Sequence, residues 1–377
     1  MRFAWKTALL ASSLVGASLA ANYSQAEIDS GKVLTELSKT AYDNAMARLS
    51  AETSTSGCTK DNVHVRKEWR KIPGAERIAF REAIECLMQT ESVYGYVDGA
   101  KSAFDDFGVL HYHLTPYVHL SASFLLFHRY YVYTYEEALR TKCGYKGTFP
   151  YWEWGLDAHN VSASPLFDGS ETSLGGDGEF IPGHPPPFPG VPAGSGGGCV
   201  SGFLSDFSVN LGPSGRPDPL KHNPRCLKRD LNTDICALWA SLRNTTDVII
   251  DAPNIEAFQA LLQGDKRYPP AAPLGIGVHG GGHFAISGDP GGDFYWSPLE
   301  PGFYLHHGQI DRMYFVWQNL DWENRQDIFG TGTMNNFPPS RDMTLDDVMD
   351  ISPLNGPRPL RELIDTIGGS PFCFVYE

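Results

Sequence analysis

Apolar positions along this chain recur mainly at helical spacing. From about Ala26 to Leu49 they fall at Ile28, Val33, Leu34, Leu37, Ala41 and Ala45, the stripe of an amphipathic helix. After a turn around Gly57 the pattern predicts two further helical pieces, Val63 to Lys71 and Gly74 to Thr90, parted at Pro73-Gly74. Helices are also predicted over Phe104 to Leu114, Phe124 to Thr141, Thr233 to Leu242, Ile255 to Gln263 and a strongly aromatic Phe303 to Gln318. Tyr151-Trp-Glu-Trp154 reads as an aromatic loop or short strand. Between about Asn160 and Arg229 the periodicity stops, and glycine and proline take over, as in Gly183-His-Pro-Pro-Pro-Phe-Pro-Gly190. So long an irregular stretch is unusual inside a compact domain. It reads as a surface-laid insertion pinned by Cys199 and Cys226 rather than as a linker. Asp321 to Glu377 is polar with short apolar runs, and neither an internal repeat nor a second hydrophobic domain is visible.

Composition narrows the setting. With 377 residues, 42% of them hydrophobic and 12% aromatic, the chain can bury a large core. A net charge of -14 offers no basic footprint for nucleic acid or an anionic membrane surface. Arg2 and Lys6 precede a small apolar run, Thr7 to Ala20, that ends in Ser18-Leu-Ala20, so residues 1–20 read as a signal peptide and 21–377 as the mature chain. The run is too short to span a bilayer. A secreted protein is therefore expected. Its seven cysteines, Cys58, Cys86, Cys143, Cys199, Cys226, Cys236 and Cys373, should then mostly pair, with at least one left over because seven is odd. Three glycosylation sequons begin at Asn22, Asn160 and Asn244.

The chemistry lies in the histidines. His111, His119 and His128 form one group, with His113 beside them, and His279, His283, His306 and His307 form a second. Steps of eight and nine residues along one continuous helix would separate side chains by roughly 12–14 Å. The helix must therefore break if His111, His119 and His128 are to share one ion. Pro116 is expected to end the first helix and Ser121-Ala-Ser123 to start the next, leaving His119 in the loop. His113, two residues from His111, should face away. His279 and His283, four apart, share a helical face, and the three glycines between them are expected to keep the way to a metal open. His307 or His306 adds the third ligand. Asp311, one turn on, is placed to hydrogen-bond a ligand's second ring nitrogen. The two groups flank the insertion and must meet, which argues for one domain. Imidazole sets without interleaved carboxylates point to copper, although such ligands also accept zinc or nickel.

Asp105-Asp-Phe107, the spaced histidines, Phe124-Leu-Leu-Phe-His-Arg129, Pro150-Tyr-Trp-Glu-Trp154 and Tyr304-Leu-His-His-Gly-Gln-Ile-Asp-Arg312 together resemble the type-3 copper proteins of the tyrosinase and catechol oxidase family, most closely its short secreted fungal forms. The resemblance covers roughly residues 60–320. It implies a mainly α-helical fold in which a four-helix bundle holds two copper ions, with long Gly/Pro-rich loops. CuA would be carried by His111, His119 and His128, and CuB by His279, His283 and His307; the family pattern places the last ligand four residues before the Asp, which favours His307 over His306. Gly280, Phe284 and Phe294 would border the substrate, with Phe294 at the position of the family's gate over CuA. Without a residue at Gly280 to help deprotonate a phenol, the resemblance implies oxidation of o-diphenols to o-quinones by O2, with weak monophenol activity. A tyrosinase that hydroxylates phenols on the same site is the alternative, and a haemocyanin-like O2 carrier a third reading. Nothing after Glu377 would serve as a C-terminal shield, so an open site is expected.

Overall fold

The computed structural model describes residues 23–51, 57–268 and 275–377. The expected signal peptide and the Asn22 sequon lie outside them. Chain order runs α1 (Gln25–Asp29), α2 (Lys32–Ala51), β1 (His64–Glu68), α3 (Gly74–Gln89), α4 (Ala103–Val118), α5 (Phe124–Cys143) and β2 (Pro150–Tyr151). The insertion follows as two antiparallel pairs, β3 (Gly178–Phe180) with β4 (Gly197–Val200) and β5 (Ser208–Val209) with β6 (Arg225–Cys226). Then come α6 (Thr233–Trp239), α7 (Leu242–Asp251), α8 (Ile255–Gln263), α9 (Gly277–Ile286) and α10 (Gly302–Leu320), and finally β7 (Val348–Met349), β8 (Arg358–Pro359) and β9 (Phe374–Tyr376). The protein is mainly helical, as its pattern predicts. Helices α4, α5, α9 and α10 form the bundle, and α10 is buried along almost its whole length.

Local chemistry sets where these helices begin and end. Ser102 and Asp105 form a capping box at the start of α4, each satisfying the other's backbone amide. Gly144, in the left-handed conformation with φ 72°, closes α5 by donating to Arg140 and Leu139 carbonyls. The predicted N-terminal helix is broken at Gly31 (φ 75°) into α1 and α2. One hydrophobic cluster runs from Ile28 to Tyr376, so the N-terminal helix and C-terminal strand belong to the same core as the bundle.

The stretch Val63 to Lys71 is a strand followed by a 3-10 turn, not a helix. β1 pairs in parallel with β2 on one side and β9 on the other. Its buried side chains are charged: Arg66 and Glu68 point inward. Arg66 bonds Glu136 at 2.6 Å and Asp311 at 3.4 Å, and Tyr376 accepts from it at 2.8 Å. Asp311 also takes the Arg129 guanidinium at 2.5 Å, and Arg129 reaches the Leu363 and Ile364 carbonyls. This buried knot joins α5, α10, β1 and the C-terminal segment.

The insertion is tied down rather than loosely laid. Cys199 and Cys226 are disulfide-bonded, as are Cys58–Cys373 and Cys86–Cys143, and Cys236 is the free, buried cysteine. Arg229 grips Glu300, just before α10, through two bonds of 2.7 and 3.0 Å. Insertion residues Leu166, Phe167, Leu174 and Leu211 are fully buried, so the segment contributes core as well as surface.

Removing the Asp311 carboxylate leaves Arg129 without a counter-ion in a dry interior and leaves Arg66 with Glu136 alone. Asp311→Ala should therefore destabilise the protein by about 3–5 kcal/mol in denaturant unfolding. A loss below about 1 kcal/mol would show that water reaches Arg66 and Arg129.

Candidate metal centre

Helix α4 carries His111 on its inner face. It continues to Val118, with Pro116 inside its last turn, so the proline does not end the helix as its sequence position suggests. A proline so near the C-terminus forfeits a single intrahelical bond. His119 is the C-cap residue, already extended (φ -117°, ψ 143°), and α5 begins five residues later and presents His128. Two helices and the turn between them thus supply the first three imidazoles, while His113 faces solvent. Ser123 occupies the N-cap position but spends its hydroxyl on the Tyr117 carbonyl instead of capping.

The turn itself is strained. Leu120 sits at φ 45°, a costly conformation for a side chain that branches. It is held from three directions: its amide donates to Gln263 Oε1 at 2.8 Å, and its carbonyl accepts from Arg267 and from the Asn335 amide. Gln263 and Leu120 also line the adjoining cleft. No local sequence signal marks either residue, because the strain is imposed by α8 and the C-terminal loop.

Each ring of the first group has one nitrogen committed. Nδ1 of His111 meets the Tyr295 carbonyl at 2.8 Å, that of His119 the Thr115 carbonyl at 3.1 Å, and that of His128 the Phe124 carbonyl at 2.8 Å. A carbonyl accepts only, so Nδ1 carries the proton and Nε2 keeps a free lone pair. Nε2 of His111 and of His128 is buried without a hydrogen-bond partner. Buried acceptors left so are rare unless an ion or water fills the gap.

In the second group, His283 Nε2 lies 3.1 Å from His279 Nε2 and 3.2 Å from His307 Nε2. His306 joins the same cluster, tilted by 44° against Trp154 with ring centroids 5.0 Å apart. Candidate ligand atoms within each group lie within 4.8 Å of one another. His128 stacks on His307 at 4.2 Å and 12°, so the two groups meet ring to ring. Burial pushes all of these imidazoles toward the neutral form, His111 down to about 4 and His283 to about 3. Neutral, convergent, nitrogen-only donors fit two soft-to-borderline metal ions.

Two expectations need correction here. Asp311 does not reach a ligand ring, because its oxygens are taken by Arg129, Arg66 and Tyr376. Arginines outcompete an imidazole for a buried carboxylate, since they cannot shed their charge. The three glycines of α9 also do different jobs. Only Gly280 borders the cleft. A Cβ at Gly281 would stand 2.8 Å from Trp239 and one at Gly282 only 2.2 Å from His306, so those two permit close packing.

The cleft opens over both groups, with a volume of about 180 Å³. A cavity of about 150 Å³ already accepts benzene. Phe294 lies over His119 at 4.7 Å between centroids and is 46% exposed; Phe284 and Ile276 also line the cleft. The sequence-predicted residues Gly280, Phe284 and Phe294 all line it.

Comparisons with known proteins agree with this geometry. Residues 101–320 match the family model described as the common central domain of tyrosinase. The chain is 36% identical to "Tyrosinase P" of Aspergillus terreus, over 84% of this chain and 92% of that protein. It is 35% identical to "N-acetyl-6-hydroxytryptophan oxidase ivoB" of Emericella nidulans, over 85% and 94%. Among solved structures it is similar to a polyphenol oxidase variant from Thermothelomyces thermophila, with a TM-score of 0.84 and 35% identity over 92% of this chain and 98% of that one. A four-helix bundle presenting two buried imidazole groups, matched at these levels, means that the chain belongs to the tyrosinase family of type-3 copper oxidoreductases.

Proposed function

We propose that the protein is a secreted dicopper o-diphenol oxidase, with His111, His119 and His128 holding CuA and His279, His283 and His307 holding CuB. The observation that carries this reading is the convergence of buried, neutral Nε2 atoms beneath one aromatic cleft. His307 is preferred to His306 because its Nε2 lies against that of His283 and its ring stacks on His128. Residues 21–377 are read as one copper domain, in keeping with a core shared from Ile28 to Tyr376. Three disulfides favour an oxidising, extracellular setting. No helix among the described residues is long and apolar enough to cross a membrane.

When bound, the copper pair supplies the reduction of O2 that takes two electrons from each diphenol. The chain's own residues do the rest. Phe294 and Phe284 line a cleft with mainly apolar walls and room for a flat ring. Gly280 borders the cleft, where a Cβ would stand 2.8 Å from Ile276 Cβ, so glycine lets Ile276 close up against the helix. Among the described lining residues the one carboxylate is Asp293, and it accepts from the Ser214 hydroxyl and from the Ser214 and Tyr295 amides. A carboxylate so committed is a poor base for a phenol proton. That favours diphenols, which lose their protons more readily than monophenols, over phenol hydroxylation.

Copper-loaded protein is expected to consume oxygen with catechol and only weakly with a matched monophenol, and His119→Ala should fall to background. Comparable turnover of both substrates would shift the assignment to a hydroxylating tyrosinase. Reversible oxygen binding with neither consumed would shift it to a carrier.

Acid provides a second check, on the metal-free protein. Imidazoles of the unfolded chain titrate near 6.5, whereas burial depresses His111 to about 4 and His283 to about 3 in the fold. The unfolded state therefore binds protons first as pH falls. The stability tied to these rings is complete above about 6.5 and is lost progressively down to about 4 and below. The thermal midpoint should drop through that window. A midpoint constant from pH 7 to pH 4 would contradict the burial of these rings.

A further inference from the structure

Two aromatic walls flank the cleft, and they are supported differently. Phe294 has ring contacts with His119 and Tyr295 and is about half exposed. Phe284 is braced from behind. Its ring meets Phe188 edge-to-face at 5.1 Å, and Phe188 in turn packs on Trp239 at 6.0 Å. Val191, Ile235, Trp239, Phe188, Ile276 and Phe284 form a hydrophobic cluster separate from the main core. Two of them, Ile276 and Phe284, line the cleft.

Phe188 belongs to the Gly/Pro-rich insertion, in the run Pro185-Pro-Pro-Phe-Pro189. Prolines fix the backbone of such a run, so its position is set at its ends. Both ends are fastened. His184 bonds the Ile181 carbonyl through Nδ1 at 2.7 Å and Asp230 through Nε2 at 2.8 Å. Asp230, itself buried, also accepts from the Gly194 and Gly196 amides, and Asn232 donates to the Pro192 carbonyl at 2.9 Å. The segment from His184 to Gly194 is thus a stiff strap whose aromatic, Phe188, packs against a cleft-lining ring.

We propose that Phe188 is a specificity-determining positioning residue: it holds Phe284 as a rigid wall, and that wall limits the bulk of the ring substituent on the phenol. Phe294 can yield to a substituent, whereas Phe284 cannot while Phe188 stands behind it. The preferred substrates are then small or thinly substituted diphenols, and ring-branched ones are discriminated against. This inference rests on reading the cleft as the phenol site.

The test uses copper-loaded protein and the ratio of kcat/KM for 4-tert-butylcatechol to that for catechol. Loss of an aromatic pair worth about 0.5–1.5 kcal/mol should raise the ratio in Phe188→Ala by roughly two- to thirteenfold. Phe188→Leu should lie between, and Phe180→Ala, an exposed aromatic of the same insertion, should match the parent. Calorimetry supplies a readout free of turnover: the affinity ratio of 4-butylresorcinol to resorcinol, meta-diols that cannot form an ortho-quinone, should rise in the same order. An unchanged pair of ratios at native thermal stability would overturn the proposal, as would an equal rise in Phe180→Ala. If Phe188→Ala does not fold, Phe188→Leu decides. If the parent oxidises neither catechol, the oxidase reading fails, and the calorimetric ratio still tests the wall.

Discussion

An imidazole taken out of water sheds its proton, and what it then offers depends on which nitrogen keeps the remaining hydrogen. Here three backbone carbonyls, those of Thr115, Phe124 and Tyr295, make that choice for the first histidine group. Two of them lie four residues before the ring they bond, so the helix itself orients His119 and His128. The third comes from the loop beside Phe294, which fastens the edge of the cleft to His111. Tautomer, ring orientation and cleft wall are therefore set by the same few contacts. The remaining architecture keeps water away from them: α10 is buried along its length, and the knot of Arg66, Arg129 and Asp311 fixes its far face.

That division of labour explains what the sequence shows and what it hides. The helices that carry the histidines are legible because their apolar stripes and end signals agree, as at the capping box of Ser102 and Asp105. β1 was not legible as a strand because its inward residues are Arg66 and Glu68, so polarity is inverted relative to burial. The distant partners Glu136, Asp311 and Tyr376 make Arg66 tolerable there, and the nearby Arg70 holds Glu68. Asp311 misleads for the same reason. Its place one turn after His307 suits a ring contact, but two arginines far away in sequence claim it. Leu120 and Gln263 carry no signal at all, since strain in a turn is a property of what surrounds it.

The glycines of α9 carry a related lesson. Three in a row suggest one cause, yet Gly280 faces the cleft while Gly281 and Gly282 admit Trp239 and His306. A helix that carries two ligands must lie close to α6 and α10 for those ligands to meet the third. The destabilisation of glycine within a helix, about 1 kcal/mol each, is offset by the packing that this approach allows. Flexibility is not the result, because every Cβ position is already occupied by a neighbour.

The insertion then ceases to look like an accessory. It has no periodicity because its structure comes from long-range ties: the Cys199–Cys226 bridge, Arg229 on Glu300, and Asp230 gathering His184 and two amides. The bridge closes the insertion on itself, while Arg229 reaches the loop leading to α10 and the Asp230 amide donates to Ile286 of the second histidine helix. Other parts of the insertion reach the bundle directly: Asn210 donates to Asp105 at the start of α4 and Phe207 packs on Phe104, so the segment braces a histidine-bearing helix as well as Phe284. Irregular structure held by side chains thus supports both a cleft-lining ring and the helices that carry the imidazoles, and neither role leaves a periodic trace in the sequence.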